Sequence, residues 1–388
     1  MKWLSKYGAL VLGGLVLTAC GGATAAAPGR ASSSAGGVKV VRLHDPLEAL
    51  AMEGGRVAYD VSSDLSKLPN RVLVWNVGTG KTTKVSGRET GGADGVTGGG
   101  VPQLAIAGTR VAWLIQSTSN EESDDDLYTS SLLSPKERHV AGEVRSGNQC
   151  GAGRGGYQPA CAGTWLGGVV GSGNRILVNR WTTDTTGAVS SAGLYELNGS
   201  KFGPPVVTGS AGVEAVAADS KRVAVLQWRW IPGERTIHVY SSSGRPLVSV
   251  TPNGQPEAIA LSGRNLVVLE HDDKLADYDA RTGSLRRTFA LHGSPNQQVL
   301  AVQGNVAVYS TPVRYYPGRD APSVSGIRAI DLTNGRTRLV GRLPGQITLA
   351  RIDSTGLVYT NDNWTTHHGY VVQLVFVPFE QVAAAVEK

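Results

Sequence analysis

Five groups of residues carry the chemistry this sequence could perform. His271, Asp272 and Asp273 stand together, and so do Asp362, His367 and His368. Carboxylate beside imidazole can relay protons or hold a metal ion. No fixed ligand spacing connects the two groups, so solvated loop residues are the competing reading. Trp228, Arg229 and Trp230 form a third group, and Tyr315, Tyr316 and Trp364 a fourth. Aromatic rings and guanidinium groups anchor ligands in binding sites and can stack on sugars or peptides. Turn residues surround Tyr315, Tyr316 and Trp364, which favours recognition, whereas the alternation of Trp228 with Trp230 suits packing equally well. Glu121, Glu122, Asp124, Asp125 and Asp126 could offer oxygens to Ca²⁺, but they lack a Gly-punctuated loop and read as a solvated acidic tip. G-x-S-x-G, H-E-x-x-H and Walker motifs are all missing from the sequence. No catalytic residue, cofactor or metal is therefore assigned.

The elements that must position these groups are strands. The 388 residues include 51 Gly and 18 Pro, are 41% hydrophobic, and hold only 3 Cys, a profile of a globular chain rich in turns. Collagen, a disordered chain and a disulfide scaffold are all excluded by that balance. Gly disfavours helix interiors, while Val, Thr, Tyr and Trp suit half-buried strands.

Beyond residue 45 one unit recurs, and its second strand aligns best. Copies begin at Arg56, Arg110, Arg175, Arg222, Asn265, Asn305 and Gly356, each opening a short apolar run such as Arg56 Val57 Ala58 Tyr59. Spacings of this size mark a propeller or solenoid. Tight turns at Gly78 Thr79 Gly80, Ser243 Gly244, Thr282 Gly283 and Asn334 Gly335 join the third and fourth strands. The expectation is an all-β, seven-bladed β-propeller of four-stranded antiparallel blades. Its seventh unit has three strands, at Gln346 to Ile352, Leu357 to Thr360 and Tyr370 to Val377. The alternating stretch from Val38 to Leu43 is free to supply the fourth and close the ring, removing exposed sheet edges.

In such a ring, connections between second and third strands share a face with connections between blades. Long loops are expected there at Ser63 to Asn70, Ser117 to Asp126, Thr182 to Gly193, Trp230 to Arg235, Thr311 to Gly326 and Asn361 to Gly369. Length concentrated on one face points to function on that face.

The amino terminus reads as an address. Lys2 and Lys6 precede an apolar run from Tyr7 to Leu17, then Thr18, Ala19 and Cys20. The run is shorter than the roughly 20 residues that span a bilayer. Leu17, Thr18, Ala19 and Cys20 resemble the lipobox of a bacterial lipoprotein. That resemblance implies cleavage after residue 19, lipid on Cys20 and a protein held at the extracytoplasmic face of the cell membrane, which is the periplasmic side if there are two membranes. Residues 21–37 read as a tether spanning roughly 20 to 25 Å. The propeller is expected over 38–380, with a tail at 381–388. Cys150 and Cys161 are then an even pair in an oxidising compartment and are expected to form a disulfide. Formal charge is +6, without a basic run, so nucleic acid is not an expected partner.

The repeat resembles bacterial extracytoplasmic propellers of the TolB-like, WD-repeat-like and quinoprotein-like group. Asp279 Ala280 Arg281 Thr282 Gly283 is similar to the D-x-x-T-G of the quinoprotein repeat, although the Trp expected after it is missing. Paired Gly-His and Trp-Asp dipeptides and a repeated D-x-D-G are also missing. The expectation is a non-catalytic binding or scaffold module for protein, peptide or glycan. The alternative is a propeller enzyme (a quinone-dependent dehydrogenase, hydrolase or lyase) using His271, Asp272, His367 or His368.

Overall fold

The structure, a computed structural model, describes residues 37–43, 45, 47–62, 70–86, 99–118, 122–146, 163–184, 189–209, 212–228, 235–291, 299–315, 322–362, 364–365 and 369–387. Strand β1 (Lys39–Leu43) comes first in the chain. Blade one is β2 (Leu50–Glu53), β3 (Arg56–Ser62), β4 (Asn70–Asn76) and β5 (Thr82–Lys84). Blade two is β6 (Gly99–Ala107), β7 (Arg110–Thr118), β8 (Glu122–Ser131) and β9 (Ser134–Ser146). Blade three is β10 (Gly163–Ser172), β11 (Arg175–Thr183), β12 (Val189–Asn198) and β13 (Lys201–Gly209). Blade four is β14 (Gly212–Ala218), β15 (Arg222–Trp228), β16 (Thr236–Ser241) and β17 (Pro246–Val250). Blade five is β18 (Pro256–Ser262), β19 (Asn265–Glu270), β20 (Lys274–Asp279) and β21 (Leu285–Ala290). Blade six is β22 (Ala301–Gln303), β23 (Val306–Tyr315), β24 (Pro322–Asp331) and β25 (Thr337–Pro344). Blade seven takes β26 (Gln346–Ile352), β27 (Gly356–Asp362) and β30 (Val372–Pro378), with a small hairpin of β28 (Trp364–Thr365) and β29 (Gly369–Tyr370) between the last two. Seven four-stranded antiparallel sheets thus make the propeller that the repeat predicts.

The amino-terminal strand closes the ring. β1 pairs antiparallel with β30 from Lys39↔Phe376 to Leu43↔Val372, as the outermost strand of blade seven. Val41 and Leu43 are buried there with Trp75 and Phe376. Residues 381–387, read from sequence as a tail, belong to helix α1 (Phe379–Glu387), which buries Val382 and Val386 against blades six and seven. Arg336 Nη1 donates to the carbonyl of Glu387 at 2.8 Å.

Each second strand is buried on both sides, which explains its continuous apolar run. Val57 and Tyr59 face blade seven, packing with Leu349 and Val358, while Ala58 faces blade two with Leu104 and Ile106. In blades two to five the Arg or Asn that opens this strand is a latch between blades. Arg110 donates to the carbonyls of Asn174 and, at 2.7 Å, Leu197 in blade three. Arg222 reaches the carbonyl of Gly263 in blade five, and Asn265 Nδ2 reaches that of Gly304 in blade six at 2.6 Å. Turn glycines answer in the opposite direction. Gly263 N–H donates to Asp219 Oδ2 at 2.8 Å and Gly304 N–H to Ser262 Oγ at 3.0 Å. Four of the residues that mark the repeat, Arg110, Arg175, Arg222 and Asn265, therefore bond one blade to the next.

Inner strands approach closely. A Cβ on Gly171 would stand 2.1 Å from the carbonyl oxygen of Ile106 in blade two. Backbone cannot swing aside as a side chain can, so Gly171→Ala should wedge the two blades apart and cost about 1–3 kcal/mol. A urea titration of this variant should show a lower midpoint, and an unchanged midpoint would refute so tight a junction.

Three loop expectations need correction, and in the first of them, Thr182 to Gly193, Thr182 and Thr183 of β11 pair with Ser191 and Val189 of β12. Glu122 to Asp126 lie in β8, paired with β7 and β9, and Asp125 is buried. Its Oδ1 accepts from Gln116 Nε2 at 3.1 Å and its Oδ2 from Leu166 N–H of blade three at 3.4 Å. Asp126 Oδ1 bonds His139 Nε2 at 2.9 Å. Asp125 and Asp126 thus serve the blade and its neighbour, not a solvated tip. Likewise β23 continues to Tyr315 and β24 starts at Pro322, so most of the loop expected from Thr311 to Gly326 is paired strand. Cross-strand hydrogen bonding prevails there over a loop-like composition rich in Pro, Tyr and Gly.

Candidate functional site

First strands begin at the long-loop face and surround a central channel of about 860 Å³. Small residues such as Ala49, Ala51, Ala215, Ala217, Ala258 and Ala260 keep it open. Its polar lining includes Glu48, Gln103, Glu257 and Thr348 near the strand starts, with Arg351 toward their ends. Burial raises the Glu48 carboxyl, against the opposing pull of the Val101 N–H. Behind Glu48, Asp60 is fully buried. Its Oδ1 accepts from the N–H groups of Glu48 at 3.0 Å and Ala49 at 2.7 Å, while Oδ2 has no partner. Burial is the main reason that the Asp60 carboxyl is pushed up to about 8, with the Glu48 charge adding to it.

His271, Asp272 and Asp273 form the turn from β19 to β20 on the long-loop face, with Asp273 in the left-handed region at φ 58°. His271 Nδ1 lies 2.5 Å from Oε1 of Glu257, so this turn touches the channel lining. Asp272 is exposed and meets Lys274, whose hydrogen bond holds the Asp272 carboxyl below its ordinary value. No Ser, Cys or Tyr hydrogen-bonds the Glu257–His271 pair among the described residues. Among them, too, no three His, Cys, Asp or Glu side chains gather closely enough to hold a metal ion.

The other sequence-derived candidates spread around the same face. Tyr315 ends β23 in blade six and is 52% exposed. Asp362 ends β27 and Trp364 lies in β28, paired with Tyr370, both in blade seven. Trp228 closes β15 opposite Gly212. Tyr315 thus lies on blade six, and Asp362 and Trp364 on blade seven, next in the ring to His271 and Asp272 of blade five. Cys20, Cys150, Cys161, Arg229, Trp230, Tyr316, His367 and His368 lie outside the described residues.

Sequence reasoning missed one pair. Trp165 and Trp181, at the long-loop end of blade three, stack in parallel with centroids 6.1 Å apart and planes 4° apart. The available signal was that each Trp lies at the loop end of a strand in the same unit.

The D-x-x-T-G segment forms the turn from β20 to β21. Asp279 Oδ1 accepts from the N–H groups of Arg281 at 2.8 Å and Thr282 at 3.2 Å, and Gly283 follows at φ 74°. Its Oδ2 accepts from Arg264 at 2.6 Å and Arg286 at 2.5 Å. Burial alone would raise the Asp279 carboxyl, but these hydrogen bonds outweigh it and hold it well below the usual carboxylate range. Gly244 and Gly335 occupy the same left-handed position in their turns, as expected.

No known protein family matches the sequence, and no curated protein matches it. Among solved structures, a chain from a crystal structure of the mitotic checkpoint complex is similar, at 13% identity and a TM-score of 0.50. The match covers 94% of this chain and 99% of that one. Likeness at such low identity establishes the β-propeller fold and nothing about activity.

Proposed function

We propose that this protein is a non-catalytic binding or scaffold module, held by lipid on Cys20 at the extracytoplasmic face of the cell membrane, that engages a protein, peptide or glycan through its long-loop face. One observation carries the reading. β1 starts at the short-turn face: Lys39 pairs with Phe376 beside the Gly356 end of β27, and its Nζ donates to the carbonyl of Val77 in the turn after β4 at 2.5 Å. A tether running back from Lys39 to Cys20 leaves from that side. The long-loop face, with the channel mouth and Tyr315, is then left clear of the attachment point.

Palmitate labelling tests the anchor. Label should enter the wild type and be lost in Cys20→Ser, which should appear in the medium; an unlabelled, freely secreted wild type would overturn the anchoring. Tyr315→Ala and Trp364→Ala should each weaken a partner recovered by pull-down, and undiminished recovery with both would overturn the choice of face.

The contact between His271 and Glu257 favours a second reading, in which the channel mouth performs hydrolase or lyase chemistry. Turnover by the purified protein that disappears in His271→Ala would establish it.

A further inference from the structure

We infer that the short-turn face of the propeller is a docking surface for an anionic lipid bilayer. The inference rests on the reading that Cys20 carries lipid, and it gives a role to the face from which the tether leaves. Charge on this face is one-sided. Lys81 follows the turn after β4 in blade one, and Lys201 opens β13 in blade three. Lys221 and Arg245 lie in the two turns of blade four on this side, and Arg281 in the turn from β20 to β21 of blade five. All five are exposed, and among the described residues no carboxylate pairs with any of their side chains.

The aspartates of the same face are held back in the turns. Asp219 Oδ1 accepts from the N–H groups of Lys221 at 2.7 Å and Arg222 at 2.8 Å. Asp353 Oδ1 accepts from the N–H groups of Thr355 at 2.7 Å and Gly356 at 3.2 Å, and Asp331 Oδ1 from that of Thr333 at 2.8 Å. Asp279 is shared between Arg264 and Arg286. The exposed carboxylates described on this face are those of Glu380 and Glu387, both in α1 against blades six and seven. Free cations therefore gather on blades three to five, away from α1, with Lys81 on blade one.

The turns that carry these cations are fixed before any surface arrives. Ser242 N–H donates to the carbonyl of Lys221 and Ala280 N–H to that of Arg264, each at 2.8 Å, so the two turns of a blade are tied together. Each blade also rests on the one before it. The Cβ position of Gly244 falls against the carbonyl of Val206 in β13, and that of Gly283 lies 2.7 Å from Val248 Cγ2 in β17. Little backbone ordering is then needed on contact. Leu133, 82% exposed in the turn from β8 to β9 of blade two, adds an apolar side chain that can enter a headgroup layer. Cations spread over the tips of several blades, rather than lining a groove, suit a broad planar anion, and each should strengthen attachment to anionic lipid about fivefold. A tether on the same side raises the local concentration of lipid, so even weak docking would orient the propeller.

The test uses the full chain with Cys20→Ser, so that no acyl chain contributes, and measures flotation with vesicles of phosphatidylcholine alone or with about one third phosphatidylglycerol. Binding should favour the anionic vesicles and fall as salt is raised. Combining Lys201→Glu, Lys221→Glu and Arg281→Glu should weaken it about a hundredfold or more, whereas Arg314→Glu, exposed at the long-loop end of β23, should change it less than about twofold. Hydroxyl-radical footprinting needs no charge variant: anionic vesicles should protect Leu133 and leave Tyr315 unprotected. Equal binding to both vesicles, or a triple variant no weaker than Arg314→Glu, would overturn the docking face. Tighter binding per phosphate to soluble polyphosphate than to the vesicles would assign the cations to a soluble polyanion and overturn the bilayer. Palmitate labelling of the wild type is independent of these outcomes, so the anchor reading can survive the failure of the docking face.

Discussion

At pH 8, Asp60→Asn should be more stable than the wild type by several kcal/mol, although at pH 4 the two should differ little. Asp60 is fully buried between blades one and two, and its carboxyl is pushed up to about 8 from an ordinary value of 3.8. The folded state therefore binds the proton more tightly than the unfolded chain does. Its contribution to stability is complete below about pH 4 and is lost as the pH rises toward 8. The slope is about 1.4 kcal/mol per pH unit, or on the order of 5 kcal/mol over the whole interval. Glu48, raised by burial, acts in the same direction. Asn keeps the oxygen that accepts from Glu48 and Ala49 but cannot ionise. Urea titrations of both proteins from pH 4 to 9 should give a falling midpoint for the wild type and a much flatter one for the variant. Parallel profiles would mean that Asp60 ionises without penalty.

The second large effect concerns ring closure. Val41→Asp should cost about 4 kcal/mol or more, because it removes a buried apolar side chain and places a carboxylate among Trp75, Leu374 and Phe376. The damage should appear as an opened ring: without β1, β30 presents an unpaired edge that can add a strand from another chain. Size-exclusion chromatography should therefore show self-association alongside the lower urea midpoint. Arg42→Asp, at the exposed neighbouring position, is the control and should change little. Equal effects from both substitutions would show that β1 is dispensable.

The architecture was legible because its signature is structural. Strand openings read at Arg56, Arg110, Arg175, Arg222, Asn265 and Gly356 coincide with the starts of β3, β7, β11, β15, β19 and β27, and that expected at Asn305 falls one residue before β23. Burial on both sides makes these strands apolar, and in blades two to five the latch fixes their first residue. Outer strands are quieter in sequence, since β21 is almost wholly exposed and nothing constrains its side chains to a pattern. Loop lengths were overestimated at blades two, three and six because polar or Pro-rich composition hides strand pairing made with distant residues. The Trp165 and Trp181 pair escaped for a related reason. Its geometry depends on register and on a slip in pairing at Gly167, neither of which shows in a linear pattern. His271 was visible as a candidate, but its partner Glu257, on another strand, was not.

Ring closure by β1 also fixes how the molecule carries mechanical load. A pull transmitted along the chain from its amino terminus reaches the five residue pairs between β1 and β30 before any other part of the propeller. Those pairs are the first to part under tension, while blades one to six are each complete within a continuous stretch of chain. Force applied at that end peels a single strand and leaves six blades intact, so the junction that makes the ring whole is also its point of mechanical release.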